Sequence, residues 1–216
     1  MSGVFVTGTG TEVGKTMVAA AIANTLRSDG STVAVFKPVV TGIEDPGESD
    51  HALLRRAAGS GQDYDEIAPY RYRPPASPHL AAEMQGERID PQVLLAAAGA
   101  AAAAADSLVC EGVGGLLVPL APGFGVRDLA VALGYPLVIA ASPGLGTINH
   151  TLLTIESARA AGLEVAKVVL TPWPSRPSQI ETSNRDSIAA MGGVRVEGLA
   201  ALDLADPSSW PRLDPA

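Results

Sequence analysis

The sequence predicts an α/β fold, in which a mostly parallel β-sheet carries helices on both faces. Short runs of β-branched and apolar residues alternate with longer helix-forming stretches, an order typical of strands joined by helical crossovers. The runs are continuously apolar, which indicates strands buried on both faces. With 216 residues, of which 47% are hydrophobic, the chain suits one soluble domain with a full core, or at most two small ones.

Strands are predicted wherever a short apolar run is bounded by polar residues or glycine. Five runs and a shorter sixth qualify: 3–7, 32–38, 106–112, 136–141, 164–171 and 192–198. Helices are predicted between them, at about 15–28, 49–58, 91–105, 126–133, 148–161 and 178–190. An alanine tract lies within 91–105, and we interpret it as a packed helix because alanine is the strongest helix former.

Two segments do not follow this alternation. The stretch 60–90 is rich in proline and arginine and has little periodicity, so we predict an ordered surface loop with a short helix above the sheet. The proline-rich tail 207–215, with Trp210, is predicted to be a terminal extension. Because no repeat or linker divides the chain, we expect residues 1–216 to form a single domain.

The composition argues against several classes of function. The net charge is −8, and an acidic chain is a poor general binder of nucleic acid. The longest apolar runs are shorter than the roughly 18 residues of a membrane span, and no secretory signal opens the sequence. Cys110 is the one cysteine, so no internal disulfide can form. We expect a soluble, cytoplasmic protein that binds neither nucleic acid nor membranes.

The stretch VTGTGTEVGKT at 6–16 is a candidate phosphate-binding loop of the P-loop NTPase type. Backbone N–H groups in such a turn converge on one point, and the following helix adds its positive N-terminal end. Small residues leave room for the anion: Gly8, Gly10 and Gly14. Lys15 would reach the β- and γ-phosphates, and the Thr16 hydroxyl would hold Mg²⁺. The spacing is unusual, because the position expected to be glycine is Thr9 and the glycine lies one residue earlier.

Two acidic residues are candidate metal ligands, since Mg²⁺ on a nucleotide usually needs a carboxylate besides the hydroxyl. Glu111 ends a predicted buried strand, and ligands bind at the C-terminal ends of parallel strands. The alternative is a strand-end glutamate that only faces solvent. Asp50 opens a predicted helix, where it is equally well a metal ligand or an N-cap or first-turn acid without further function.

Lys37 is a candidate for the charge that assists phosphoryl transfer. It lies at the end of the second predicted strand, directly before Pro38, which places its ammonium at the same edge of the sheet as the phosphate loop. The alternative is a surface lysine. The chain has only three lysines, at 15, 37 and 167, which favours the functional interpretation.

In combination, four motifs resemble those of the dethiobiotin synthetase family. They are VTGTGTEVGKT, KPVVTG, EGVGGLLVPL and GLGTINHTLLT, in this order. The modified phosphate loop and GLGTINH are the specific ones, and the Lys-Pro pair is less so. The resemblance covers roughly residues 1–170 and is only loose beyond them.

The resemblance implies a reaction and its components. The substrates would be 7,8-diaminononanoate, CO₂ or bicarbonate, and ATP or another nucleoside triphosphate, with Mg²⁺ as cofactor. One amine would form a carbamate, the nucleotide would phosphorylate it, and the other amine would close the cyclic urea. The products would be dethiobiotin, ADP and phosphate.

The resemblance also implies site residues. The phosphates would be held by Glu12, Val13, Gly14, Lys15, Thr16 and Met17. The metal would be served by Thr16, Asp50 and Glu111, and the nucleotide would be bordered by Glu111, Gly112, Val113 and Gly114. The catalytic residues would be Lys37, Lys15 and Thr11, with Lys37 stabilising the carbamate and assisting transfer of the phosphate.

The substrate side is implied in the same way. Thr11 and Thr41 would face the reacting amines. A second segment, comprising Gly146, Thr147, Ile148 and Asn149, would bind the distal carboxylate at the N-terminus of a helix. Since this segment comes from the neighbouring subunit in the family, a homodimer with shared sites is implied. Asn149 is the side chain expected there, and the alternative is a helix cap.

One departure from the family pattern affects the base of the nucleotide. Family members often carry Asn-Asp after the fifth strand, where the asparagine reads adenine, and Thr171 and Pro172 stand there in this sequence. ATP remains the default, but a broader or different preference is plausible. The other side of the base would be closed by Leu199, Ala200 and Ala201.

Three other functions were compared with this one. A partition or nitrogenase-type ATPase would carry a signature lysine where this loop has Gly10. A cobyrinate-type amidoligase would need a glutaminase domain, which does not fit in 216 residues. A nucleotide-binding regulatory module remains an alternative, and it would release no phosphate when diamine and bicarbonate are added.

Overall fold

Ten strands, eight α-helices and one short 3₁₀ helix (Pro207–Ser209) lie in residues 2–43 and 48–215, which are the residues that the computed structural model describes. The strands are β1 (Ser2–Gly8), β2 (Val33–Phe36), β3 (Val39–Thr41), β4 (Tyr70–Tyr72), β5 (Ser107–Glu111), β6 (Pro119–Ala121), β7 (Phe124–Gly125), β8 (Leu137–Ala141), β9 (Val165–Leu170) and β10 (Arg195–Gly198). The helices are α1 (Lys15–Ser28), α2 (Asp50–Ala58), α3 (Tyr64–Ile67), α4 (Pro78–Met84), α5 (Pro91–Ala103), α6 (Val126–Leu133), α7 (Thr147–Ala160) and α8 (Gln179–Gly192). Within the two described ranges, no helix combines the length and apolar character needed to cross a membrane.

Six strands form the main sheet, in the order β10-β9-β8-β1-β5-β2. All neighbours in it are parallel, and they are the six strands predicted from the sequence. Strand β1 is central, with β5 on one side and β8 on the other. The loops that follow these three strands therefore begin at one edge of the sheet, where ligands bind in such folds.

Helices cover both faces of the sheet, as predicted. On β1, Val4 and Val6 are buried against residues of α1 and α2. Phe5, which lies between them and points the other way, is buried with residues of α5 and α6. The predicted alanine tract is confirmed as part of α5, whose Ala98, Ala101 and Ala102 are buried.

The second predicted strand, 32–38, is divided in the structure. Strand β2 ends at Phe36 and β3 begins at Val39 in a separate two-stranded sheet. Pro38 has no N–H to donate to a neighbouring strand, and the Lys37 N–H donates to the Ile67 carbonyl at 2.8 Å. The chain thus leaves the main sheet at Lys37, directly beside the end of β5.

The free edge of β2 is covered by a side chain. The Gln62 Oε1 atom accepts from the Val35 N–H at 2.8 Å, and its Nε2 donates to the Val35 carbonyl at 3.1 Å. The amide thus bonds to the strand as a neighbouring backbone would, and it blocks pairing with another chain at this position.

The prediction of a loop with one short helix at 60–90 was wrong in part. The segment contains α3, β4 and α4, and β4 pairs in parallel with β3. Strand β4 is only three residues long and reads YRY, too short for periodicity to reveal. Its pairing is long-range, and the buried Tyr72 anchors it in the core.

The tail is an extension in sequence, but it packs as part of the domain. Trp210 and Leu213 are buried in the same cluster as α1 and α2. The Leu213 N–H donates to the Thr25 hydroxyl of α1 at 2.9 Å. Arg212 makes two bonds to Asp29 at 2.7 and 2.8 Å. The tail thus covers apolar surface that α1 would otherwise expose.

Candidate active site

The loop between β1 and α1 folds back on itself at the edge of the sheet. Glu12 and Gly14 have left-handed backbone conformations, with φ of 58° and 85°, which glycine adopts without strain. A Cβ at Gly8 would lie 2.7 Å from Val13 Cγ2 and 2.9 Å from Lys15 Cγ, so glycine is needed there for the loop to close. Among the described residues, no side chain caps the start of α1 at Lys15. Its first N–H groups therefore remain available to an anion.

The Lys15 ammonium lies inside this loop. Its Nζ donates to the Gly10 carbonyl at 2.7 Å, and the side chain is buried. Burial lowers the pKa of Lys15 from its ordinary value, and the nearby charge of Lys37 lowers it further. An incoming anion would offset both effects, since it adds negative charge beside the ammonium.

Four side chains converge beside the loop from α1, the end of β2, α2 and the end of β5. The Thr16 hydroxyl lies 3.0 Å from Asp50 Oδ1 and 3.0 Å from Glu111 Oε1. The Lys37 ammonium lies 2.7 Å from Asp50 Oδ2 and 2.5 Å from Glu111 Oε1. Ser49 is the N-cap residue of α2, and Asp50 is the first residue of the helix. The Asp50 carboxylate is directed into the site. Glu111 is fully buried and does not face solvent.

Burial and the neighbouring charges shift the pKa values of Lys37, Asp50 and Glu111. Burial opposes the charge of Lys37, but Glu111 and Asp50 outweigh it, and the pKa of Lys37 is raised. Burial alone would raise the pKa of Asp50. The charge of Lys37 and the hydrogen bonds from Lys37 and Thr16 outweigh this effect, and the pKa of Asp50 is lowered. In contrast, burial raises the pKa of Glu111 despite Lys37. A further positive charge beside Glu111 would oppose this rise in its pKa.

A cavity of about 370 Å³ brings most of the predicted nucleotide and metal residues together. Its lining includes Thr11, Glu12, Gly14, Lys15, Thr16, Met17, Lys37, Thr41, Asp50, Glu111, Val113 and Gly114. Val13 instead packs partly buried against the core, and the Gly112 carbonyl lies 3.4 Å from the Lys37 ammonium. Val40 also lines the cavity. Val40 was not among the predicted residues, although its place directly before Thr41 in the KPVVTG motif was an available signal.

The predicted base segments lie outside this cavity but next to each other. The Leu199 N–H donates to the Leu170 carbonyl at 2.9 Å, and the Leu199 carbonyl accepts from the Trp173 N–H at 2.7 Å. Thr171 is buried, and a Cβ built on Gly14 would collide with its side chain. Pro172, Ala200 and Ala201 are exposed. Thr171, directly after β9, therefore packs against the phosphate loop at Gly14. The exposed residues of the two base segments are small and apolar.

The predicted carboxylate-binding segment opens α7, away from the cavity in the same protomer. Helix α7 begins at Thr147 after Gly146, and no side chain in the described part of the chain caps it. The alternative that Asn149 caps the helix therefore has no support. Asn149 is exposed, Ile148 is half-buried, and Thr147 is buried with its hydroxyl 3.4 Å from that of Thr151.

A second groove, of about 520 Å³, adjoins the phosphate loop on the other side of Thr11. Its lining is largely apolar or hydroxylated, and the sequence analysis did not assign it. The lining residues include Thr11, Leu116, Leu117, Val118, Leu153 and Thr154. The groove thus connects the cavity with an outer face of α7.

The oxygen atoms of the cluster fit a magnesium ion. One carboxylate oxygen of Glu111, Oε2, is buried and has no hydrogen-bond partner among the described residues. The single Thr16 proton can be donated to one carboxylate at a time, although both lie at 3.0 Å. Hydroxyl and carboxylate oxygens are ligands of Mg²⁺, which commonly keeps waters and substrate phosphates as its remaining ligands. Residues that could hold the ion are therefore Thr16, Asp50 and Glu111.

Fold and site together define a nucleotide-binding protein of the P-loop NTPase class. A family model described as an AAA domain matches residues 2–212. A protein of Rhodococcus erythropolis named "ATP-dependent dethiobiotin synthetase BioD" is 41% identical over 92% of this chain and 88% of its own length. The protein of the same name from Bacillus subtilis strain 168 is 34% identical over 92% of this chain and 87% of its own length. The chain belongs to the dethiobiotin synthetase family, as the motifs indicated.

Two solved structures share the fold at low sequence identity. The signal recognition particle receptor FtsY of Elizabethkingia anophelis has a TM-score of 0.55 and 13% identity, over 99% of this chain and 62% of the receptor chain. The cell division protein FtsY of Thermotoga maritima has a TM-score of 0.52 and 14% identity, over 99% and 65%. These likenesses show the fold alone.

Proposed function

We propose that this chain forms dethiobiotin from 7,8-diaminononanoate, CO₂ and a nucleoside triphosphate, as a single domain over residues 1–216 in the cytoplasm. One amine adds to CO₂ and loses a proton, which gives a carbamate. A carbamate oxygen attacks the γ-phosphorus, and the bond to the β–γ bridging oxygen breaks, releasing the nucleoside diphosphate. The second amine attacks the carbamate carbon, phosphate departs with the electron pair of the C–O bond, and loss of a proton leaves the cyclic urea.

The observation that carries this proposal is the convergence of Lys15, Thr16, Lys37, Asp50 and Glu111 in one cavity beside a phosphate loop, which brings two ammonium groups together with carboxylate and hydroxyl oxygens. Phosphoryl transfer requires mainly positioning and charge neutralisation. The cavity would provide both, since the N–H groups at the start of α1 carry no side-chain cap among the described residues and Lys15 lines the cavity beside them.

The metal ligands follow from the same geometry. Thr16, Asp50 and Glu111 would hold Mg²⁺, and the unpartnered Oε2 of Glu111 is one oxygen available to it. When bound, the ion neutralises charge on the β- and γ-phosphates.

Lys37 is the residue we assign to the carbamate. Its ammonium is buried and stays charged, since Asp50 and Glu111 raise its pKa. A fixed cation in a site that excludes water stabilises negative charge far better than a hydrated one. Both the carbamate oxygens and the transferring phosphoryl group would face it.

The diamine would lie between the cavity and the adjoining groove. Thr11 lines both, so its hydroxyl can face an amine at the junction, and Thr41 lines the cavity from the other side. The apolar lining of the groove, which includes Leu117 and Leu153, suits the alkyl chain of the substrate. The distal carboxylate would then bind the uncapped N-terminus of α7, at Gly146–Asn149 of a second subunit.

A homodimer is part of this proposal. Three leucines near the groove and α7 are exposed: Leu117 by 65%, Leu145 by 97% and Leu153 by 55%. Large apolar side chains at the surface of one region are typical of an interface. A partner subunit covering them would bring its α7 segment to this site.

The base of the nucleotide has few specific polar contacts available. Thr171 is buried against the phosphate loop, and the exposed residues around it are Pro172, Ala200 and Ala201. A wall of small apolar side chains discriminates weakly between bases. We therefore propose ATP as a substrate and expect other triphosphates to be accepted.

Phosphate release tests the proposed function. Purified protein is supplied with Mg²⁺, bicarbonate and diaminononanoate, with ATP, CTP and GTP in parallel, and dethiobiotin is detected by mass spectrometry. We expect phosphate and dethiobiotin in equal amounts, both dependent on the diamine. Nucleotide binding without diamine-dependent phosphate release would instead indicate a regulatory module.

A further inference from the structure

The Lys37 ammonium contacts carboxylate oxygen atoms that would also be ligands of a metal ion in this site. It contacts Glu111 Oε1 at 2.5 Å and Asp50 Oδ2 at 2.7 Å. The same Glu111 oxygen lies 3.0 Å from the Thr16 hydroxyl. One oxygen of the three-residue ligand set is thus already shared between a hydroxyl and an ammonium.

Burial makes this sharing restrictive. The Lys37 side chain is only 3% exposed and that of Glu111 is 0% exposed, so their contact is shielded from water, whereas the Asp50 side chain is 44% exposed. The ammonium also lies 3.4 Å from the Gly112 carbonyl. A divalent ion needs the lone pairs of its oxygen ligands, and two cations on one oxygen repel each other strongly where water is excluded.

We propose that Lys37 is an internal competitor of the divalent cation, and that metal binding displaces its ammonium from Glu111. Because Lys37 directly follows β2 and lines the cavity, its displaced ammonium would stay within reach of the cavity. It is then free to bind an anionic substrate group. This inference rests on the proposed function, and it adds that metal binding and the availability of Lys37 are one coupled event.

Removal of a side chain from a metal site usually weakens metal binding, and the opposite effect is expected for Lys37. Removing Lys37 should strengthen binding of the metal in the absence of nucleotide, because Asp50 and Glu111 lose the cation that now neutralises them. A residue that only supported the site would weaken metal binding when removed.

The test compares Lys37→Met with the wild-type chain by electron paramagnetic resonance titration of Mn²⁺, without nucleotide or diamine. Methionine keeps an unbranched side chain without the charge. We expect Mn²⁺ to bind about tenfold more tightly to Lys37→Met, since a competing cation is lost. Lys167→Met is the matched control, because Lys167 is also fully buried and paired with a carboxylate, Glu197, at 3.3 Å, away from the site. Its Mn²⁺ affinity should equal that of the wild type. Equal or weaker binding by Lys37→Met would overturn the proposal.

A second measurement uses the wild-type chain, in case Lys37→Met does not fold without metal. The three lysine ammonium groups are followed by ¹⁵N NMR, with Lys15→Met and Lys167→Met identifying two of them and leaving Lys37 by elimination. Added Mg²⁺ should shift the Lys37 resonance and leave that of Lys167 in place. A Lys37 resonance unmoved at saturating Mg²⁺ would contradict displacement. Neither experiment uses diaminononanoate, so a chain that makes no dethiobiotin can still pass or fail both.

Discussion

Lys37 owes its position to the residues on either side of it. Its N–H bonds to Ile67 instead of the sheet, and Pro38 prevents β2 from continuing. The side chain is thereby held between the ends of β2 and β5, where Asp50 and Glu111 neutralise it. The chemistry proposed for it follows from this burial, because a lysine at the surface would be too well hydrated to stabilise a phosphoryl group strongly.

Replacement of Lys37 by alanine tests its catalytic role. We expect dethiobiotin formation to fall about 100-fold or more, as for loss of one transition-state donor. Nucleotide affinity, measured by isothermal titration calorimetry, should stay within a few-fold, because Lys15 and the N–H groups of α1 remain. Turnover close to that of the wild type would show that Lys37 is not catalytic.

Gly14→Ala tests how tightly the loop is built. The position has φ of 85°, and a Cβ there would collide with the Thr171 side chain. We expect a loss of about 1–2 kcal/mol from backbone strain alone, with weaker nucleotide binding from the displaced loop. Gly99→Ala in α5 is the control, since its Cβ would meet no other described atom within 4 Å.

The two alanine substitutions should therefore change the free energy of unfolding in opposite directions. Gly99→Ala should raise the free energy of unfolding by about 0.5–1 kcal/mol, since alanine is the better helix former, with unchanged nucleotide affinity. Urea denaturation and calorimetry of both proteins provide the comparison. Equal nucleotide affinity of Gly14→Ala and the wild type would contradict the described loop geometry.

At the scale of elements, the main sheet could be predicted because its strands are continuous apolar runs with helices between them. Strand β4 could not, since three residues such as YRY carry no period and pair only through the long-range contact with β3. The site was predictable where a motif fixes the backbone, as for Lys15 and Thr16. The pairing of Lys37 with Asp50 and Glu111 could not be predicted, because these residues belong to three elements that are distant from each other in sequence.

The docking of the tail has a measurable energy. Trp210→Ala should lower the free energy of unfolding by about 3 kcal/mol, because it removes a large buried side chain. Leu204, which lies shortly before the tail, is 39% exposed, and Leu204→Ala should cost below about 1 kcal/mol. Urea denaturation of the two variants makes the comparison. Similar losses would show that the tail is not docked through Trp210.

At the scale of the whole molecule, the proposed site is complete only in a dimer. In the proposed dimer, each protomer would contribute its phosphate loop and metal cluster to one site and its α7 N-terminus to the other. In such a dimer, the apolar outer region near α7 and the polar cavity beside the loop would together enclose a substrate with an apolar chain and charged ends.

Leu145→Asp tests this assembly. A charge on the 97% exposed Leu145 should disfavour a buried interface, giving a folded monomer with greatly reduced turnover. Met191→Asp, on the 70% exposed Met191 of α8, is the control and should remain dimeric and active. Light scattering and the dethiobiotin assay distinguish the two. A fully active monomer would contradict the shared site.

The most direct test of the central claim is a crystal structure of the chain with Mg²⁺ and a non-hydrolysable ATP analogue. We expect the triphosphate against the N–H groups of residues 8–16, with the metal between Thr16, Asp50 and Glu111. A triphosphate bound elsewhere, with this loop unchanged and empty, would contradict the account.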